Sequence, residues 1–327
     1  MEDRFINPFT DYGFKKLFAS EQNADLLISL LNALITDDDN YDPITSITYK
    51  NIEHVGEINS MRSSYFDVYC QTQSGADFIV EMQNGKQIYF KDRSLYYATI
   101  PIQEQGKKGK EIVEREARAL EKKYARIGKP SFLDDKPKKE WNYRLKDVYL
   151  VAILDFIFPG NEYPYEEYYH KIKLMDVKDK HVFYDKLTLI YLEMPKLEGM
   201  EIKLETMRDK WMYALNALCY TDKQPPELKE EIFQKLFREA EIAGFNESQY
   251  FTYKISQMQL WDSYSIWECA NQEGFEKGVE KGIEKGIEKG MEKGSRNKAI
   301  ETARKMKALG LDSETIAKVT GLAPNDY

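Results

Sequence analysis

Two short stretches in the first third of the chain predict a pair of neighbouring β-strands. They cover residues 64–69 and 78–83, and both are rich in aromatic and β-branched side chains. Because side chains alternate across a strand, Glu81 and Gln83 share one face of the second strand, and its apolar residues share the other. We therefore expect a hairpin with one apolar face and a polar pair on the opposite face.

The loop between these strands decides which residues face each other. A three-residue loop, Gln73 to Gly75, with the glycine in a left-handed conformation, pairs residue 72 with residue 76. In that register Asp67 falls opposite Glu81. A two-residue turn of Ser74 and Gly75 would misalign the two carboxylates.

Asp67, Glu81 and Gln83 are the residues that this hairpin assigns to chemistry. Two facing carboxylates repel each other and need a cation or a shared proton. Mg²⁺ is bound through one or two carboxylates, waters and substrate phosphate oxygens, so this pair suffices for a phosphodiester site. Gln83 would then orient the water or the scissile phosphate. The alternative is an acidic patch on an exposed sheet face.

Composition limits the class of protein. The 327 residues are 42% hydrophobic, which supports one large domain with appendages or two domains. No apolar run approaches the roughly 18 residues that span a membrane. The first residues lack the apolar core of a signal peptide, so we expect a cytoplasmic location. Three scattered cysteines and three scattered histidines argue against disulfides and structural zinc.

The charge of the chain is unevenly distributed. The net charge is −8, yet residues 106–146 hold fourteen Lys or Arg against seven Asp or Glu. Such a segment could attract a nucleic-acid backbone to an otherwise acidic protein. A solvated helix of mixed charge is the alternative.

The remaining patterns predict a mixed α/β body. The acidic run Asp37 to Asp39 is interpreted as a solvated loop rather than a metal site. We expect a helix over residues 11–35 that a break near 20–23 could divide, a strand over 44–53, a helix over 91–105, strands over 147–156 and 187–193, and helices from 201 onward.

A Glu-Lys-Gly-x repeat runs from Glu276 to Gly294 with a period of four residues. On a helix this period aligns the glycines and the apolar residues in adjacent stripes, which favours helix pairing. A flexible charged linker is the alternative, because each glycine costs a helix about 1 kcal/mol relative to alanine. Two short helices over 298–309 and 313–319 follow, the second capped by Ser313 or Asp312.

With these residues assembled, the chain resembles the recombination-promoting nucleases, a family described broadly as PD-(D/E)XK nuclease family transposases. The resemblance covers most of the chain. It is carried by Asp11 to Phe18, Arg62 to Asp67, Glu81 to Gln83, Asp92 to Tyr97 leading to Gln103, Leu145 to Phe156, and the Glu-Lys-Gly tail.

The resemblance implies a restriction-endonuclease-like α/β fold, a mixed sheet flanked by helices, followed by a helical C-terminal region. It implies a DNA nuclease that uses Mg²⁺, or Mn²⁺, held by Asp67 and Glu81. Gln83 stands where many related nucleases carry lysine. Gln103, on the following helix, would approach the site and contact DNA phosphate or a metal-bound water.

We divide the chain into a nuclease core (1–200) with a basic insertion at about 106–140, a helical extension packed on the core (201–270), the repeat (271–294) and a short helical element (295–327). The leading hypothesis is a magnesium-dependent DNA endonuclease, recombination-promoting or associated with mobile elements, that forms a homodimer through the repeat. The alternative is a catalytically weak or inactive DNA-binding assembly protein that keeps the nuclease fold. In a third hypothesis the repeat dominates function and the protein is chiefly an oligomeric interaction protein.

Overall fold

The computed structural model describes residues 3–36, 42–50, 66–126, 143–159, 163–200 and 202–327. The chain divides into two compact units, residues 1–263 and 264–327. Among the described residues, no helix combines the length and the apolar character needed to cross a membrane.

A six-stranded mixed sheet organises the first unit. The order across the sheet is β1-β2-β3-β4-β6-β5, with β3, β4 and β6 parallel and the other neighbouring pairs antiparallel. The strands are β1 (Ile47–Tyr49), β2 (Val68–Thr72), β3 (Asp77–Gln83), β4 (Val148–Leu154), β5 (Tyr169–Met175) and β6 (Val182–Glu193).

The β2–β3 hairpin has the three-residue loop that aligns Asp67 with Glu81. Gly75 has a positive φ of 86°, and the backbone N–H of Thr72 donates to the carbonyl of Ala76 at 2.9 Å. Val68 pairs with Val80, so the next position outward places Asp67 opposite Glu81. The predicted register is confirmed.

Seven α-helices lie in the described residues. They are α1 (Asp11–Phe18), α2 (Ala24–Ile35), α3 (Phe90–Arg126), α4 (Met207–Tyr220), α5 (Glu231–Glu239), α6 (Glu247–Ala308) and α7 (Ser313–Thr320). The break predicted near residues 20–23 is a short 3₁₀ turn, Glu21–Asn23, between α1 and α2.

The sheet buries a hydrophobic layer on each face. One face packs against α1, α2, α4 and α5, and this larger core includes Phe14, Leu30, Val80, Trp211 and Phe233. The other face packs against the first part of α3, through Phe90, Ala98, Ile79 and Tyr191. Burial on both faces explains the nearly continuous apolar sequences of β3 and β4.

Some predicted boundaries change in the structure. The first strand is three residues long, and residues 51–53 of the prediction lie outside the described part. Strand β5 was not predicted; it is an outer strand whose lysines alternate with apolar residues. The helix predicted over 91–105 continues to Arg126 and so includes the first half of the basic segment. Residues 127–142 lie outside the described part, as do Asp37 to Asp39.

In the second unit, the Glu-Lys-Gly-x repeat is helical as part of α6, so the linker alternative is wrong. Helix α7 follows a turn at Gly310, whose φ is +83°. Its cap is Asp312, whose carboxylate accepts hydrogen bonds from the backbone N–H groups of Glu314 and Thr315.

Candidate active site at the start of strand β2 and the end of strand β3

The candidate site lies where β3 ends and β2 begins, on the face of the sheet that α3 covers. Glu81 and Gln83 are 3% and 7% exposed, and Asp67, directly before β2, is partly buried. An acidic patch on an exposed sheet face is therefore the wrong interpretation of these residues. Burying carboxylates costs free energy unless they are paired, protonated or bound to a cation.

Asp67 is held against the backbone of β3. Its Oδ2 accepts a hydrogen bond of 2.7 Å from the N–H of Met82. Burial raises the pKa of Asp67 to about 6, while the Met82 hydrogen bond and the nearby Lys15 act in the opposite direction. A neutral carboxyl is therefore favoured in the metal-free site below about pH 6.

Glu81 is the less satisfied of the two carboxylates. Burial, and then the charge of Asp67, raises its pKa well above the ordinary value. Its Oε1 is buried and has no hydrogen-bond partner. Its Oε2 lies 3.5 Å from Nη2 of Arg93. This position therefore has spare acceptor capacity and too little positive charge.

Arg93, on the first turn of α3, is the site residue that the sequence analysis missed. Its Nη1 donates to Oε1 of Gln83 at 3.1 Å, and its Nε donates to the hydroxyl of Tyr97 at 2.7 Å. The same guanidinium contacts Glu81 and lies 4.9 Å from the centre of the Tyr97 ring. Arg93 thus supplies a cation beside both Gln83 and Glu81. The available signal was the Arg93/Tyr97 pair, one helical turn apart on the helix that follows β3.

Lys15 adds positive charge from α1. It favours the ionised forms of both Asp67 and Glu81, lowering the pKa of each. Its ammonium also lies 2.6 Å from Oδ1 of Asp11, so that pair partly neutralises itself. The cap of α1 is Thr10, whose side chain accepts a hydrogen bond from the N–H of Gly13.

Gln103 is not brought to the carboxylate pair. Its side chain is exposed and donates weakly to Thr99 at 3.4 Å. The neighbouring Gln105 contacts Asp77, at the opposite end of β3. Ten residues separate Gln103 from Arg93, about 15 Å along a helix. The residue of α3 that contacts Glu81 is Arg93, which corrects the expected position of Gln103.

An acidic cluster at the β5–β6 turn and a single buried glutamate at the end of β6 both differ from this site. Asp176, Asp179 and His181 lie within 4.8 Å of one another at the β5–β6 turn. That cluster is mainly exposed, and Asp176 already accepts from two backbone N–H groups.

Glu193, at the end of β6, is fully buried but satisfied. Its oxygens contact His170 Nε2 at 2.8 Å, the ammonium of Lys196, and the backbone N–H of Phe158. Glu81 differs from Glu193 because one of its buried oxygens has no donor.

The residues present fit a hard divalent cation. The Asp67 and Glu81 donors are carboxylate oxygens, which suit Mg²⁺ and Mn²⁺, and Oε1 of Glu81 lacks any other partner. A cation would also reverse the burial effect on both pKa values, because it stabilises the ionised carboxylates.

A mixed sheet flanked by helices, with a buried Asp and Glu at the start and end of adjoining strands, defines a nuclease-like α/β protein. A family model described as PD-(D/E)XK nuclease family transposase matches residues 8–125 and 132–270. These regions cover most of the chain, which therefore belongs to that family and has its restriction-endonuclease-like fold. Comparisons with curated proteins and with solved structures gave no match.

Proposed function

We propose that the protein is a magnesium-dependent DNA endonuclease whose site is Asp67, Glu81, Gln83 and Arg93. The observation that carries the proposal is the buried Oε1 of Glu81, which has no donor and lies on a strand position directly opposite Asp67. Membership in a nuclease family supports the reaction class.

In this proposal Asp67 and Glu81 hold the cation. When bound, Mg²⁺ polarises a phosphate oxygen and lowers the pKa of a water that attacks phosphorus. The Met82 N–H fixes one oxygen of Asp67, leaving its other oxygen for the cation. We assign no direct contact with substrate to Gln103.

Arg93 performs the electrostatic role that lysine has in many related nucleases. Its guanidinium is permanently charged, and it stabilises negative charge that develops on the phosphate. Gln83 orients the water or the scissile phosphate, and Arg93 fixes the Gln83 side chain through Oε1. The two residues together replace one lysine.

DNA is the proposed partner. Lys107, Lys108 and Lys110 are exposed on α3 and begin the basic segment. Exposed lysines attract phosphates in a salt-dependent way, so DNA binding should weaken as salt is added. A cytoplasmic location and a role in recombination or in mobile elements are the proposed context.

A second candidate function is a nuclease-fold DNA-binding protein with weak or no catalysis. Gln83 in the place of lysine favours it. In that case metal and DNA would still bind, but the phosphodiester would not be cut.

The test is nicking of supercoiled plasmid by the full chain with Mg²⁺, with Mn²⁺ or with EDTA. Asp67→Asn preserves an acceptor for the Met82 N–H and removes the charge, and we expect it to lower the rate about 1,000-fold. Asp179→Asn is the matched control, because it removes a carboxylate from the exposed β5–β6 cluster.

Metal-dependent nicking by wild type and Asp179→Asn, lost in Asp67→Asn, supports the endonuclease. Equal nicking by all three places the activity elsewhere. DNA binding without nicking by wild type supports the second candidate.

A further inference from the structure

The repeat part of α6 presents an exposed apolar stripe. It consists of Phe275, Val279, Ile283, Ile287 and Met291, which are between 44% and 72% exposed. The neighbouring glycines open onto free space: a Cβ added at any of them would meet nothing within 4 Å. Large aliphatic side chains at this exposure, repeated over four turns, mark an interaction face.

The repeat arranges its four residue types as four stripes. Each residue advances about 100° around a helix, so the order of the stripes around the axis is glutamate, lysine, glycine and apolar. The glycine stripe therefore lies between the lysine and apolar stripes, and the apolar stripe lies between the glycine and glutamate stripes. The glycine and apolar stripes form one face, which we call the repeat face. One flank of the repeat face is lysine and the other is glutamate.

Within one copy of this helix, charged residues four positions apart carry like charges, and only the Lys–Glu pairs three positions apart carry opposite ones. A period of four places Glu280 against Glu284 and Lys281 against Lys285 at i,i+4, where like charges destabilise a helix. The favourable order, glutamate four residues before lysine, does not occur within the repeat. Among the described residues, no ion pair involves the charged side chains of residues 280–293. These charges are therefore available to a partner.

We propose that the repeat face binds the same face of a second copy of this chain, with the two helices parallel. In a parallel two-fold pair, the lysine flank of each helix lies on the same side as the glutamate flank of the other. In an antiparallel two-fold pair, lysine faces lysine and glutamate faces glutamate. Charge complementarity therefore selects the second copy and its direction.

The four-residue period of the stripes sets the crossing angle of the two helices and the length of their contact. Ridges of residues spaced by four pack into one another at a crossing angle of about −50°, and glycines let two backbones approach closely. The contact is therefore centred on a few turns, near Ile283, rather than spread along a long coiled coil. Parallel symmetry brings equal residue numbers together. This proposal does not depend on nuclease activity.

The first test measures direction by cysteine cross-linking of the full chain. Cys269 is exposed, so the background is Cys269→Ser. Val279→Cys and Ile287→Cys are made separately, and Glu284→Cys is the control on the glutamate stripe. We expect Val279→Cys and Ile287→Cys each to form a disulfide-linked dimer with itself under a mild oxidant, and Glu284→Cys to remain monomeric in the gel.

Self-linking at both apolar positions supports the parallel pair. An antiparallel pair would link residue 279 to residue 287 in a mixture of the two variants, and at most one variant would link to itself; that result overturns the proposal.

The second test measures the dimer dissociation constant of the full chain by sedimentation. In a parallel pair, the double substitution Lys281→Glu/Lys285→Glu places glutamates on the former lysine flank, opposite the glutamate flank of the other copy. We therefore expect dimerisation to weaken about tenfold. In an antiparallel pair, the substitution would replace lysine facing lysine by glutamate facing glutamate, so the dissociation constant would not change. A wild-type chain that sediments as a monomer throughout overturns the proposal.

Discussion

The two ends of strand β3 carry buried carboxylates on the same face of the sheet, yet their surroundings differ. Asp77, at the first end, is fully buried. Its Oδ1 contacts the ammonium of Lys50 and accepts from Gln71 at 3.0 Å, and its Oδ2 accepts from Gln105 at 2.9 Å. Glu81, four residues on, has one oxygen with no donor, and its carboxylate is otherwise supported by a backbone hydrogen bond from Asp67 and by the guanidinium of Arg93 at 3.5 Å.

This difference separates a structural carboxylate from a functional one. The protein surrounds Asp77 with donors that tie β1, β2 and α3 to the sheet, so its burial is compensated. Around Asp67 and Glu81 the compensation is incomplete, and both pKa values are raised. A buried acid left incompletely satisfied is typical of a site that awaits a cation or substrate.

The largest expected effect is on stability at the Asp77 end. Asp77→Ala removes the acceptor that the Lys50 ammonium and two amide donors share, and Lys50 keeps only the Tyr69 hydroxyl at 3.0 Å and Glu104 at 3.7 Å. We expect the free energy of unfolding to fall by about 3 kcal/mol, because the buried amide donors lose their acceptor and the ammonium loses its closest carboxylate. Urea denaturation followed by tryptophan fluorescence measures this change.

Asp77→Asn keeps an acceptor and should lose less than Asp77→Ala. If Asp77→Ala costs less than about 1 kcal/mol, the first end of β3 is no better compensated than the second, and the comparison fails.

The next largest effect concerns Arg93. Arg93→Gln removes the charge beside Glu81 and the fixed geometry of Gln83, and we expect the cleavage rate constant to fall about 100-fold. Arg93→Lys restores charge without the simultaneous contacts to Gln83 and Tyr97, so it should recover part of the loss. Single-turnover kinetics with saturating DNA measure the rate constant. Equal rates for both variants would show that the charge of Arg93 is not what matters.

Without metal, the substitution Asp67→Asn at the Glu81 end of β3 is expected to stabilise the folded protein. The folded pKa of Asp67 is about 6 and its ordinary value is 3.8, so the folded protein binds this proton more tightly. Stability from this group is present at low pH and is lost as the pH rises from 3.8 to 6. Asp67→Asn at pH 7.5 in EDTA should therefore raise the free energy of unfolding, by about 1–3 kcal/mol.

Thermal melting in EDTA measures this gain, with Asp179→Asn as the control that should show none. A lower melting temperature for Asp67→Asn would mean that the Asp67 carboxylate is already compensated by the protein.

The smallest effect is the pH dependence of metal binding. Mg²⁺ requires ionised carboxylates, so protons compete with it below the raised pKa of Asp67, about 6. We expect affinity to fall by at least about tenfold per pH unit below that value, because the pKa of Glu81 is raised too and a proton must leave each carboxyl. The Mg²⁺-induced rise in melting temperature, measured between pH 5 and 8, reports the affinity. A rise that is constant across this range, or that persists in Asp67→Asn, contradicts the assignment of Asp67 as a ligand.

Local sequence predicted much of the fold. The broken first helix, the hairpin register and the buried β4 follow from periodicity and from a glycine that tolerates positive φ. The outer strand β5 was missed, although its lysines alternate with apolar residues in the pattern of a half-buried strand. The prediction also ended the helix at residue 105, whereas α3 continues to Arg126 through the charged residues of the basic segment.

The candidate site was predicted in part. Asp67, Glu81 and Gln83 could be placed together because a hairpin register is a local property. Arg93 could not, because its contact with Glu81 depends on how α3 crosses the sheet. The family resemblance implied that Gln103 lies near the site. The structure leaves Gln103 exposed, ten residues along the helix from Arg93.

The sequence by itself determined the β2–β3 hairpin and the buried strand β4, the facing of Asp67 and Glu81, and the helical repeat with its stripes of like charge, because these depend on residue spacing within local elements. Only the tertiary structure decided that Glu81 is buried with an unpartnered oxygen while Asp77, on the same strand, is satisfied. The physical reason is that burial and hydrogen bonding depend on which distant side chains arrive, here Arg93 at one end of β3 and Lys50 with Gln105 at the other.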